Sequence, residues 1–323
     1  MPGLSDFFPP APSPGHPGDP GLFGPGSAAW RIGRERLLLA AGPAALLLQV
    51  AHPLVAAGVA AHSDFTADPL RRLQGTLDAV LTVTFGDTAQ VRQAARHVAR
   101  RHRPVQGTLP VTTGPIAAGT RYRATDADLA LWVFVTLLWT SVTVTDRFAR
   151  PVGRLERDAY LRDLSRAGRL FGVPAGTVPG DWAALEQYVR DQVRQVLTVG
   201  PAASRLAADV LRPDPPLVAP PLRRLPALLA ADLLPAAVRE AYGLPWRRRD
   251  RAAVQVVRSA TRHAVPLLPP AVRYWPHHLV AVDRLRAGEP APPAPAPAPA
   301  RAAGEEPVGR SAGGTPAGTT SAP

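Results

Sequence analysis

Between residues 30 and 287, apolar side chains recur at helical spacing in segments that proline and glycine residues separate from one another. The segments that fit a helix are 31–41, 44–51, 53–61, 69–85, 88–103, 127–150, 154–171, 182–199 and 202–211. The main signal for a strand is the β-branched run at residues 142–145, but strand-like alternation over several segments is absent. The pattern therefore predicts an all-α protein with a single multi-helix globular domain.

Residues that favour helix ends flank several of these segments. Asp68 precedes Pro69, which is the arrangement of an N-cap followed by proline at the first helical position. Asp126 and Asp181 also occupy N-cap positions, and Gly172 follows a helical segment as a C-terminal stop. These residues predict where the helices begin and end.

Two apolar stretches, 37–61 and 129–145, contain no charged residue. Proline and glycine at residues 42–43 and His52-Pro53 divide the first into pieces that are too short to span a bilayer. The second has 17 residues, about the lower limit for a spanning helix. Both lengths favour helices that are buried in the core of a large soluble domain.

The two ends of the chain differ in composition from the middle. Residues 1–29 and 288–323 are rich in proline and glycine or alanine and poor in large apolar side chains. Such segments cannot bury enough apolar surface to offset the entropy of ordering, so we expect a disordered head and a disordered tail around a domain at 30–287. The head lacks the basic and apolar regions of a secretory signal, and we expect a cytoplasmic protein.

Several chemistries are excluded by composition. The chain has 37 basic and 25 acidic residues, for a net charge of +12, and contains arginine but no lysine and no cysteine. Schiff-base catalysis, phosphate-loop motifs, disulfides and thiolate ligands are therefore excluded. The glutamates between residues 30 and 287 stand in none of the E-x-x-H or H-E-x-x-H spacings that di-iron and zinc sites use.

Arginine runs at 100–103 and 247–251 raise the alternative of a basic nucleic-acid-binding protein. Aromatic residues that could stack on bases are not interleaved with these runs, and no groove-reading motif is present. The simpler interpretation is that these arginines lie on solvent-exposed faces of helices, so no nucleic acid is expected as a partner.

The histidines are the most informative polar residues of the predicted domain. His52 lies inside the first uncharged stretch, where a polar ring requires a partner. His97 and His102 share one predicted helix but lie about 140° apart around its axis, so only one of them can face inward. An inward histidine, nearby arginines and an apolar pocket would suit a haem, because arginine pairs with propionate carboxylates.

The middle of the chain resembles the MpaB-type oxygenases, a family that includes the catalytic domain of the rubber oxygenase. The matching residues are 42–59, His62-Ser63, Asp68-Pro69, Arg72-Leu73, Thr76, Phe85-Gly86, His102, Val105, Gly107, Tyr122, Ala124, 131–133, Arg150-Pro151, 170–174 and 242–246, and the similarity extends to about residue 285. The resemblance implies a globin-like, haem-binding helical bundle that uses haem b and dioxygen to oxidise or cleave an apolar, isoprenoid-like substrate.

Site residues follow from the resemblance position by position. His102 would be the axial ligand of the haem iron, and Arg72 and Thr76 would orient the bound dioxygen or a propionate as catalytic and cofactor-binding residues. His52 is the competing iron ligand. If it does not bind iron, it would serve as a buried hydrogen-bonding residue where two helices meet.

The chain also departs from the family pattern. Gly75 stands where the rubber oxygenase has a lysine that can occupy the sixth iron position, and Phe134, Trp139 and Thr145 replace polar or tyrosine residues of relatives. These changes make the expected pocket more apolar. The main alternative is therefore a non-catalytic haem- or lipid-binding member of the family, and peripheral membrane contact stays open.

Overall fold

The computed structural model describes residues 9–62, 69–212 and 223–288. Fourteen α-helices occur in this part of the chain: α1 (Ala28–Gly33), α2 (Gly42–Val50), α3 (Pro53–His62), α4 (Pro69–Phe85), α5 (Thr88–His102), α6 (Ala127–Val144), α7 (Arg154–Leu170), α8 (Trp182–Gln195), α9 (Pro201–Leu211), α10 (Leu225–Leu233), α11 (Ala236–Ala241), α12 (Arg248–Ala264), α13 (Pro270–Arg273) and α14 (Pro276–Ala287). The prediction of an all-α protein is confirmed.

Helix α6 is the centre of the main core. It packs against α2, α7, α8 and α10, and Trp132 is among its fully buried side chains. Two hydrogen bonds join α6 to α2: the Trp132 indole donates to the carbonyl oxygen of Leu48, and the Gln49 amide donates to the Thr136 hydroxyl. The uncharged second stretch of the sequence thus forms a helix with ten buried residues.

The strand-like run at residues 142–145 is helical. It completes α6 and enters a single π-helical turn, Thr145–Ala149. Helix α6 and this turn, Ala127–Ala149, together form a helix long and apolar enough to cross a membrane. Of its most apolar 18 residues, 56% are buried inside the fold. The first uncharged stretch bends by 107° between Arg36–Val50 and Pro53–His62, as His52-Pro53 predicts.

A small sheet was not predicted. Strands β1 (Gln106–Thr108) and β2 (Arg121–Arg123) pair antiparallel, with Gly107 opposite Tyr122. Tyr122 is buried against α3, where a Cβ at Gly58 would lie 3.3 Å from its ring. Three-residue strands are too short to show an alternating pattern in sequence, so tertiary contact with the tyrosine decides this element.

The sequence analysis identified no helix after residue 211, whereas the structure has five between residues 225 and 287. Prolines lie at the first or second position of α10, α13 and α14. Proline is favoured at the start of a helix, so residues that were taken to interrupt helices begin them here.

The expectation of a disordered head is wrong for residues 9–29, which pack against the domain. Phe23 is buried beside Trp30, and Asp19 accepts hydrogen bonds from the backbone and hydroxyl of Thr88 at the start of α5. The buried guanidinium of Arg284 on α14 donates to the carbonyl oxygens of Pro14, Asp19 and Phe85. Composition excludes helix and sheet for such a segment, but it does not exclude an extended chain that distant side chains hold in place.

The predicted tail at 288–323 lies, apart from Gly288, outside the described residues, as does the predicted N-cap Asp68. Asp181 caps α8 by accepting from the backbone N–H of Ala184, and Gly172 has a φ of +89° just after α7. Asp126 occupies the N-cap position of α6, although its carboxylate accepts from the backbone of Arg123 instead.

Candidate functional site

Helices α4 and α5 form an antiparallel hairpin that carries most of the predicted site residues. The turn between them is fixed by a capping box, in which Asp87 and Gln90 exchange hydrogen bonds between side chains and backbone. Gly75 lies eleven residues before Gly86, so it is about 16 Å from the turn along the helix axis. The candidate site is therefore at the open end of the hairpin.

At this open end, Gly75 on α4 faces the last turn of α5. A Cβ at Gly75 would lie 4.0 Å from Nη1 of Arg101, the residue before His102. Thr76 follows Gly75, so the hairpin brings Thr76 and His102 to the same end. Arg72 belongs to the first turn of α4, but its side chain lies outside the described residues.

His102 ends α5, and both its ring and the Thr76 side chain are exposed, each with an interaction of its own. His97 is also exposed. The sequence argument allowed one histidine of this helix to face inward, whereas the structure shows neither of them buried. The segment at 63–68, which connects α3 to this end of the hairpin, lies outside the described residues. The role of His102 as an iron ligand stays a prediction.

His52 occupies a different environment, at the bend between α2 and α3. Its ring is 8% exposed, and Nδ1 has no hydrogen-bond partner in the described part of the chain. Burial lowers the pKa of His52 to about 4, against a weaker opposing effect of Asp128. The imidazole is therefore neutral at pH 7, which is the form that binds metals.

The structure does not bring His52 and His102 together. His52 precedes the first residue of α3, whereas His62 at the other end of α3 forms a hydrogen bond of 2.9 Å with the carbonyl oxygen of Gln106, four residues after His102. The ten residues from His52 to His62 correspond to about 15 Å of helix. The two histidines are thus alternatives to each other and not a pair of ligands.

Three departures from the family pattern lie on or just after α6. Phe134 is buried in the main core, where its ring would lie 3.2 Å from a Cβ at Gly168 of α7. Trp139 packs against the same core, and the buried Thr145 hydroxyl donates to the carbonyl oxygen of Ser141. Phe134 therefore fills the contact between α6 and α7, and the expectation that it lines an open pocket is wrong.

A second group of buried histidines was missed in the sequence. On α14, His277 contacts the Asp78 carboxylate of α4 at 3.2 Å, and the ring of His278 makes edge-on contacts with both Trp30 and Phe85. Burial, assisted by the positive charge of Arg34, lowers the pKa of His278 to about 4. The available signal was the His-His pair directly after Trp275-Pro276, at the start of a helix.

We expect acid to destabilise the domain through His52 and His278. Both pKa values lie well below the usual 6.5, so the unfolded state binds more protons as the pH falls from 6.5 to 4. The stabilisation is present above pH 6.5 and is lost through this window, on the order of 3 kcal/mol for each histidine. Urea unfolding between pH 4 and 7 measures it.

The variants His52→Gln and His278→Gln should each flatten this pH dependence, whereas His97→Gln, which replaces an exposed ring, should leave it unchanged. A slope that all three variants retain would show that other groups cause the acid sensitivity.

No group of three or more His, Asp or Glu side chains close enough to hold a metal ion occurs in the described ranges. A surface depression of about 550 Å³ is lined by Arg31, Arg34, Arg150, Leu155, Glu156 and Ala159. Glu156 neutralises part of this basic wall, because Arg150 donates to both of its carboxylate oxygens, and this pairing lowers the pKa of Glu156.

Fold and site together define an all-α domain with a central apolar helix, buried neutral imidazoles and an arginine-rich hairpin end. The family model described as "ER-bound oxygenase mpaB/B'/Rubber oxygenase, catalytic domain" matches residues 30–263. The chain therefore belongs to this family of oxygenase catalytic domains, which confirms the resemblance seen in the sequence. No curated protein and no solved structure matches the chain. An oxygenase acts on dioxygen and an oxidisable substrate.

The residues at the open end of the hairpin fit a haem group in their chemistry. His102 supplies an imidazole, and arginines at 100 and 101 can pair with propionate carboxylates. Among the described residues, a Cβ at Gly75 would meet only the guanidinium of Arg101, at 4.0 Å, so a basic group that can pair with a propionate lies next to this glycine. The buried, neutral ring of His52, whose Nδ1 has no partner among the described residues, fits an iron ligand by its protonation state, but at 8% exposure it has little open surface.

Proposed function

We propose that the chain is a haem b-dependent oxygenase that acts on an apolar, isoprenoid-like substrate with dioxygen. The observation that carries the proposal is the convergence of Thr76, Gly75 and the last turn of α5 at one end of a hairpin in an oxygenase family domain. Haem b, when bound, supplies an iron that binds and activates dioxygen.

The roles of this chain's residues follow from their donor groups. His102 would hold the iron through one imidazole nitrogen, and a hydrogen bond to the other nitrogen would set the tautomer. Arg72 and Thr76 would donate hydrogen bonds to dioxygen or to a propionate. Arg100 and Arg101 would neutralise propionate charge at the mouth of the site.

Oxygen-dependent turnover tests the proposal. Purified protein with polyprenyl substrates should consume dioxygen and release carbonyl products, and the same mixture without oxygen should release none. A protein that binds haem but yields no product from apolar substrates with oxygen would instead be the non-catalytic haem- or lipid-binding member of the family.

Gly75→Lys should change the spin state of the bound haem. Glycine offers no ligand at this position, so we expect a mainly high-spin ferric spectrum that imidazole readily converts to low spin. A lysine side chain here would extend from a position beside Arg101 at the end of the hairpin, and it should shift the spectrum towards low spin. Absorbance spectra with and without imidazole measure this, and Gly75→Leu, which adds bulk without a donor atom, tests whether side-chain bulk alone causes the shift.

A low-spin spectrum of the unmodified protein that does not respond to imidazole would contradict an open sixth position. It would point to a second histidine ligand and to the non-catalytic alternative.

A further inference from the structure

Exposed apolar side chains are concentrated on one short stretch of the surface. Val256, Leu267, Leu268 and Val272 are 69%, 84%, 39% and 53% exposed, and all four lie within 17 residues of sequence. Val256 belongs to α12, Leu267 to the 3-10 turn Val265–Leu267 and Val272 to α13, and Leu268 directly follows the turn. We call residues 247–273 the α12–α13 face. Apolar exposure that is clustered in this way is typical of an interaction surface.

The same face carries a large share of the positive charge. Residues 247–273 contain seven arginines and one aspartate, a formal charge of +6 before the ion pairs of Arg258 and Arg273 with acidic residues elsewhere in the fold are counted. The exposed arginines are Arg247, Arg248, Arg249, Arg251 and Arg262. Arg258 belongs to the inner side, where its guanidinium pairs with the buried Asp232.

Interactions on the inner side hold the exposed leucines in place. Val254 and Val265 are buried, and Arg262 donates to the carbonyl oxygens of Asp146 and Arg147 at the end of α12. Beyond the leucines, Arg273 forms a two-pronged ion pair with the buried Glu35. The exposure of Leu267 and Leu268 therefore belongs to the folded state, since both flanks of the turn are anchored.

We propose that the α12–α13 face docks onto an anionic lipid bilayer. Leu267, Leu268 and Val272 would insert among the acyl chains next to the headgroups, and the exposed arginines along α12 would contact lipid phosphates. A basic helix next to apolar side chains is the arrangement that binds the plane of a membrane interface. The proposal goes beyond the oxygenase function and does not depend on it.

Other occupants fit this surface less well. A second copy that docks through the same face would place its five exposed arginines against the first copy's five, and like charges in contact oppose association. Nucleic acid would satisfy the arginines, but a phosphate backbone offers no partner to Leu267 and Leu268. A bilayer with acidic headgroups satisfies both the charge and the apolar surface.

Sedimentation with vesicles tests the proposal on the full chain. The protein should bind vesicles of phosphatidylcholine with about 30% phosphatidylserine and should bind pure phosphatidylcholine at least tenfold more weakly, and added salt should weaken the binding. The double variant Leu267→Ser, Leu268→Ser should reduce binding to the anionic vesicles about tenfold, because these side chains supply the inserted surface. Val111→Ser, which changes a 64% exposed side chain between β1 and β2, is the matched control.

The pair Arg248→Gln, Arg249→Gln should lower binding to the anionic vesicles and leave the weak binding to phosphatidylcholine unchanged. Circular dichroism should show the same helical content for all variants, since every substituted side chain is exposed. Absence of vesicle binding would overturn the proposal. So would competition by duplex DNA that the leucine variant leaves unchanged, which would identify a nucleic-acid surface, or a dimer in solution that the leucine variant dissociates.

Discussion

His102→Ala is expected to reduce haem b affinity at least tenfold or to change its spin state completely, because the substitution removes the proposed axial ligand. Alanine offers no donor atom, and the arginines around this position cannot ligate iron. Because His102 lies in the last turn of a helix and is exposed, the substitution should cost little stability. Hemin titration and the ferric absorbance spectrum measure the effect.

His97→Ala provides the matched control, since it removes an exposed imidazole from the same helix and should leave the spectrum unchanged. His52→Ala should chiefly lower the free energy of unfolding, because it leaves a cavity at the α2–α3 bend. If His102→Ala keeps the native spectrum and His52→Ala loses it, the ligand is His52 and the site lies at that bend.

Deletion of residues 1–27 should lower the melting temperature by about 10 °C, which corresponds to about 4 kcal/mol for a domain of this size. Burial of Phe23 contributes about 2 kcal/mol of this. The deletion also removes two of the three acceptors of Arg284, which is 3% exposed, and a buried guanidinium that loses partners is costly. Thermal unfolding followed by circular dichroism measures the loss.

Two further variants test the account of the head and the tail. Asp19→Ala should remove the contacts with Thr88 and destabilise by about 1 kcal/mol, which is typical of a lost helix cap. Deletion of residues 290–323 should leave the melting temperature nearly unchanged, since their composition cannot supply a packed core. Equal stability of the chain with and without residues 1–27 would show that the head does not hold the α4–α5 turn and α14 together.

Proline positions and apolar spacing predicted the helices and bends that depend on neighbouring residues in the sequence. The bounds of α4 agree with the prediction because proline begins this helix and apolar spacing continues through Phe85. The bend at His52-Pro53 was also predictable, since proline cannot continue the preceding helix. The head, by contrast, is held by Arg284, which is 265 residues from Asp19 in sequence, and no local pattern reports such a contact.

The site residues were likewise predictable only in part. The resemblance identified Thr76 and His102 by motif, and the hairpin places them at one end because a short turn joins two antiparallel helices. The burial of His277 and His278 depends on how α14 packs against α1 and α4. Helical periodicity could not predict this packing, because the residues around both histidines include charged side chains on several faces.

The absorbance spectrum of the purified full chain, expressed with an adequate supply of haem, tests the central claim most directly. The account predicts a Soret band that belongs to about one haem per chain, with an iron content that matches, as expected for a single axial histidine site. Colourless protein that also fails to bind added hemin, while its circular dichroism shows the helical fold intact, would contradict the account.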